Sequence, residues 1–198
     1  MTQPYEGEET YRGYPVYQDS QVTAFLEKAL RERTQIAVHC NGDAAAEQLL
    51  SCYEKSPHGL PPGHPAPYDP RPAAAAGPSA PAAPSGNGCL FLCGPCVPLG
   101  GTCTFKNFGW ERAQNISPAK NCPGGRGGVR LSSGYAGDLA QHAGDLWCAV
   151  CRRTKAGTLL GERDSGLSPW EALRAITVNA AWALFEEGGK NGTLTPRA

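Results

Sequence analysis

From residue 57 to residue 88 the chain is almost entirely Pro, Ala, Gly, Ser and His. Such a composition carries too little apolar side-chain surface to offset the entropy of ordering it. Any core must therefore come from the flanking stretches, residues 1–56 and those beyond 104. A second segment, 121–137, is Gly-rich and equally poor in core formers. By composition both read as flexible linkers. Long structureless insertions nonetheless argue against placing them inside one compact unit.

Bulk properties narrow the options without choosing a function. With 198 residues and 40% apolar content, one modest core is within reach. The formal net charge is zero and Lys and Arg form no run, so binding to nucleic acid or a membrane surface has no electrostatic support. No apolar run approaches the roughly 20 residues that span a bilayer. The odd number of cysteines, nine, leaves a thiol unpaired, and nothing at the N-terminus reads as a signal peptide. These features point to a reducing cytoplasm.

Residues Ser20 to Arg33 read as an amphipathic helix, with Val22, Phe25, Leu26, Ala29 and Leu30 on one face. Gln35-Ile36-Ala37-Val38-His39 reads as a strand. The following Cys40-Asn41-Gly42-Asp43-Ala44-Ala45-Ala46-Glu47 reads as a tight turn into a second helix. His39 thus stands where a strand ends and a helix begins. In α/β barrels that edge gathers catalytic and metal-binding side chains. A lone histidine there is more often a hydrogen-bonded structural residue, so context must decide. Near the other end, Ser168-Pro169-Trp170-Glu171 is a capping box with Pro at the first helical position. Leu173, Ile176, Ala180, Leu184 and Phe185 give a helical apolar stripe, and Gly188-Gly189 stops it.

Three stretches carry a family resemblance. Residues 11–54, YRGYPVYQDSQVTAFLEKALRERTQIAVHCNGDAAAEQLLSCYE, resemble the middle of amidohydrolase family 3 enzymes, metal-dependent hydrolases that include N-substituted formamide deformylases. The pattern there is a Tyr-Arg-Gly-Tyr-like loop, a helix, and a strand ending in His-x-x-Gly-Asp-x-Ala, on which His39, Gly42, Asp43 and Ala45 fall. Residues 147–195 are similar to the family's last helices. Lys106 to Pro118 is similar to a loop and helix start that the resemblance sets before the seventh strand.

The resemblance implies an α/β fold, a partial TIM-like barrel with a smaller β-sandwich built from the chain's two ends. It implies hydrolysis of non-peptide, amide-like C–N bonds in a small-molecule substrate. A divalent metal, with zinc as the expected ion, would lower the pKa of a bound water. A carboxylate would pass the proton to the leaving nitrogen. His39 would be the metal ligand at the end of the fifth strand. Two roles stay open for Asp43: a group supporting that ligand from behind, or an acid capping the next helix.

Between the matched stretches, a reading displaced by one base restores family-like segments. Tyr68 to Ala73 can give M-I-H-A-Q, like the sixth-strand histidine motif. Leu90 to Gly100 can give S-F-F-V-A-H-V-Y-H-W-G. Val129 to Asp145 can give F-A-F-H-Q-D-T-P-V-I-x-P-N-M-L-E-T, like the eighth-strand motif with its metal-binding Asp. The chain therefore reads as a truncated, frameshifted fragment. Residues 1–56 form the barrel piece around strand five, 57–104 are low-complexity and out of frame, and 105–120 are in frame. Residues 121–146 are out of frame again, and 147–198 are the C-terminal helices.

On this reading the first four strands and their His-x-His pair are absent. Of the four histidines, His58, His64 and His142 match no family ligand position, nor do Asp138 and Asp145 match the eighth-strand Asp. With one credible ligand, where catalytic zinc generally takes three, the isolated chain is expected to be inactive. An alternative is a small zinc-binding or interaction module using Cys93, Cys96, Cys148 and Cys151. The gap between these CxxC pairs is much longer than the roughly 15–20 residues of zinc ribbons. Cys93-Gly94-Pro95-Cys96 also has the form of a redox pair, but it follows a Pro/Ala tract rather than a strand. A largely disordered chain with two helical islands is the remaining alternative.

Overall fold

The computed structural model describes residues 1–32, 38–55, 68–71, 89–91, 101–121, 129–131, 142–183 and 192–194. Helix α1 spans Asp19–Glu32, with Asp19 in the first turn and Arg31 in the last, both favourably placed on the helix dipole. Strand β1 is Val38–Asn41 and helix α2 is Asp43–Lys55. The strand thus runs two residues past His39, while 33–37, including most of the anticipated strand, lie outside the described residues. Gly42 links β1 to α2 at φ +108°, a backbone that side-chain-bearing residues rarely adopt.

Three more strands follow: β2, Tyr68–Arg71; β3, Cys89–Phe91; and β4, Val129–Leu131. β1 pairs with β2 in parallel, Val38 opposite Tyr68 through Asn41 opposite Arg71. β3 pairs with β4 in parallel, Cys89 opposite Val129 through Phe91 opposite Leu131. β2 also lies against β3, so the four stand in chain order. The linker expectation is corrected at β2, which arises within 57–88, and at β4, within 121–137; β3 follows directly after the first of these segments. The rest of those tracts lies outside the described residues.

Helix α3, Gly101–Gln114, falls between β3 and β4 and is broken at Gly109 (φ 73°, ψ 172°), so a short second helix starts at Trp110. If β1 is the fifth strand of the family, the matched Lys106–Pro118 stretch follows the seventh strand rather than preceding it. Helices α4 (His142–Cys151), α5 (Pro169–Ile176) and α6 (Val178–Ala183) complete the described elements.

One apolar cluster joins both ends of the chain. Leu26 of α1, Cys40 of β1 and Leu50 of α2 share it with Leu131 of β4, Cys148 of α4 and Ala175 of α5. Two independent helical islands would not produce such a cluster. Some expected stripe residues stay outside it. Phe25 lies at the edge of the α1 stripe, is 55% exposed, and meets Tyr17 edge-on. In α5 the buried positions are Ala172 and Ala175, while Leu173 is largely exposed. The helix packs on both α4 and β4, and small side chains allow that close approach. The capping box forms as read: Ser168 Oγ accepts from the Glu171 N–H, and the Glu171 carboxylate accepts from the Ser168 N–H at 2.8 Å. The helix stops early, at Thr177, so Ala180 belongs to α6. Leu184, Phe185 and Gly188-Gly189 lie outside the described residues.

Candidate metal-binding edge

His39 is the second residue of β1, and its Cα partner across the ladder is Asp69 of β2. Two residues beyond it the strand ends, and Gly42 turns the chain into α2. The histidine thus lies within a parallel strand whose carboxyl end, at Asn41, is the side on which α/β enzymes assemble their sites.

Asp43 is the first residue of α2 and is buried. Its Oδ1 accepts from the Thr2 N–H at 3.0 Å and from the Ala44 N–H at 2.8 Å, and its Oδ2 accepts from the Thr2 hydroxyl. The Ala44 bond satisfies one of the free amides at the helix start. The Thr2 bonds hold a distant segment against the same turn. Met1 Sδ covers Gly42, where an added Cβ would lie 2.8 Å from the sulfur.

A second contact region lies on α3. The Glu6 N–H donates to the Asn107 carbonyl at 2.8 Å. Tyr5 stacks on Phe108 with ring centres 5.7 Å apart. The Arg112 guanidinium lies 5.9 Å from the Phe108 ring centre and donates from Nε to the Phe108 carbonyl. The N-terminal loop therefore touches both the β1–α2 turn and the α3 break.

Sequence reasoning missed Arg152, which is 3% exposed, has φ +49°, and follows α4. Its guanidinium donates to the carbonyls of Leu160, Ser117, Gln114 and Ile116 at 2.6–3.2 Å. It knots the end of α3 to the turn after α4. The only available signal was a pair of arginines at a helix end, which composition cannot distinguish from a solvated patch.

The remaining candidates are spread apart. Asp145 is buried within α4, with the exposed His142 Nδ1 3.9 Å from its Oδ2. Cys148 is a core residue of α4 and Cys151 ends that helix. Cys93 and Cys96, the other half of the zinc-module reading, lie outside the described residues, as do His58, His64 and Asp138. Cys52 and Cys151 are free thiols. Among the described residues no cluster of three or more His, Cys, Asp or Glu side chains could hold a metal ion. Among the described residues the donors do not complete a catalytic metal site: Asp43 is committed to Thr2 and its own helix, and Asp145 is buried on a helix beyond β4.

Comparison with known proteins supplies the wider frame. Two solved structures, uncharacterized metal-dependent hydrolases from Pyrococcus horikoshii OT3 and Pyrococcus furiosus, superpose with TM-scores of 0.69 and 0.66 at 17% and 16% identity. Each match covers 98% of this chain but 38% of the other, so the chain spans well under half the length of these neighbours. No curated protein matches in sequence. The family model described as the amidohydrolase family matches residues 1–198. A parallel α/β arrangement with a histidine on the strand before a Gly-Asp turn, and a family match over its whole length, make this chain a member of the amidohydrolase family.

Proposed function

We propose that this chain is the strand-five-to-eight side of a metal-dependent amidohydrolase of the formamide deformylase type, acting on non-peptide C–N bonds of small amide-like molecules in the cytoplasm. The observation that carries the reading is the placement of His39 on a parallel strand, just ahead of the Gly42 turn. There His39 is a metal ligand, zinc being the expected ion, and Asp43 fixes the turn behind it. β1 to β4 are then a partial barrel, the fifth to eighth strands.

A displaced reading frame in 57–104 and 121–146 accounts for features that a native α/β sheet avoids. β2, β3 and β4 lie where the displaced frame can yield family-like segments, resembling strand motifs at β2 and β4. β2 nevertheless carries Pro70 opposite Cys40, in a parallel ladder to which Pro cannot donate. β4 carries Arg130 at 5% exposure, where parallel strands are normally Val, Ile and Leu. In the displaced frame these positions can read as His and Ala.

With no cluster of metal donors among the described residues, this chain by itself is expected not to turn substrate over. The test is an assay of purified chain with N-substituted formamides and added zinc. No turnover is expected, and turnover that His39→Ala abolishes would overturn the proposed inactivity while keeping His39 as ligand. Sequencing the locus tests the frame separately, because an uninterrupted frame with these codons removes that part of the reading.

A further inference from the structure

We infer that residues 2–12 form a strap that opens and closes as one unit between the β1–α2 turn and the break in α3, with Asp43 as its latch. The segment is closed on itself. The Tyr5 N–H donates to the Tyr11 carbonyl at 3.0 Å, the Met1 amine to the Arg12 carbonyl at 2.7 Å, and Arg12 Nη1 to the Thr2 carbonyl at 3.3 Å. Tyr5 packs between Tyr11 and Phe108, with 5.7 Å between ring centres on each side.

One end is pinned at Asp43 by the two Thr2 donors. The other is pinned at the α3 break, by the Glu6–Asn107 bond and by the Glu6 carboxylate lying over Gly109. An added methyl at Gly109 would overlap that carboxylate, and its φ of +73° independently favours glycine. The first anchor directly follows β1 and the second lies on the helix that follows β3, with β2 standing between these strands.

The Asp43 anchor is a few polar contacts, the far anchor adds only the Tyr5–Phe108 stack, and Tyr11 within the segment is 55% exposed. Local opening draws on such weakly buried elements. A loop that is internally bonded and externally pinned at two points releases as a body. Calling it a strap over the substrate side rests on the proposed hydrolase reading. Its cooperative opening does not.

The test is hydrogen–deuterium exchange and trypsin cleavage after Arg12 on the full chain, without metal or substrate. Asp43→Ala should raise exchange about tenfold at Thr2 and, equally, at the distant Glu6 amide, and speed cleavage at Arg12 to match. Thr2→Val should do the same more weakly. Tyr5→Ala, at the far anchor, should loosen Thr2 in turn, while amides of α4 keep their rates. Ends that respond independently, α4 amides that accelerate by the same factor, or wild-type strap amides without protection would each overturn the inference. Failure here leaves the hydrolase reading intact, and loss of that reading leaves the exchange result intact.

Discussion

Arg152 shows how one side chain can decide whether two distant segments stay together. A guanidinium presents five N–H groups in a rigid fork, and here they are spent on the carbonyls of Leu160, Ser117, Gln114 and Ile116. Those carbonyls belong to the turns that end α3 and follow α4. Removing the fork would strand buried acceptors, each costing about 1–3 kcal/mol when left unmade. Arg152→Met keeps much of the volume and is expected to cost about 3 kcal/mol or more, read as a lower urea midpoint at unchanged slope. A change under about 0.5 kcal/mol would mean that water reaches the freed carbonyls.

At the scale of elements, α5 separates what a sequence can announce from what it cannot. Its start was legible because the capping box is local: Ser168, Pro169 and Glu171 meet only each other and the backbone. Ser168→Ala is expected to cost about 1 kcal/mol in thermal or urea unfolding. The Glu171 carboxyl is lowered from its ordinary 4.5, first by the Ser168 hydroxyl, then by the Ser168 N–H, with Lys120 adding to this and desolvation opposing it. A carboxyl lowered in the folded state stabilises at pH above its unfolded value, and loses that contribution as pH falls through the folded one. The gap between Ser168→Ala and wild type should therefore narrow on acidification below about pH 4.5. A gap that stays constant to pH 2 would exclude the charged form of the box. The buried face of the same helix was not legible, because Leu173 fits the apolar period as well as Ala172 and Ala175 do. Only the proximity of α4 and β4 selects the alanines. The strand carrying His39 was legible for the opposite reason, since the strand–Gly–Asp–helix pattern is local, although the strand runs two residues past the histidine rather than ending at it. Arg152 and the Thr2–Asp43 tie were invisible because their partners lie far away in the sequence.

For the whole molecule, the question is why an α/β sheet should run through segments whose residues oppose it. The cluster around Leu26, Cys40, Leu131 and Cys148 joins β1 near one end of the protein to β4 near the other, and β2 and β3 stand between these strands. Yet β4 is Val-Arg-Leu, with Arg130 almost fully buried beside Leu131. Burying a guanidinium costs several kcal/mol even when partners are found, and well-packed apolar replacements at such sites are often stabilising. The one-base displacement proposed above would allow Phe-Ala-Phe here, which suits a parallel strand covered on both faces. The triple replacement Val129→Phe, Arg130→Ala and Leu131→Phe is therefore expected to raise stability by about 1–4 kcal/mol, despite changing three consecutive strand residues. Arbitrary triple changes in a close-packed interior do the reverse, because added volume forces strain. A urea midpoint that rises with the triple variant would mean that the scaffold still expects the displaced sequence. A midpoint that falls would mean that Arg130 has become part of this sheet's own packing, and the displaced frame would lose its energetic support.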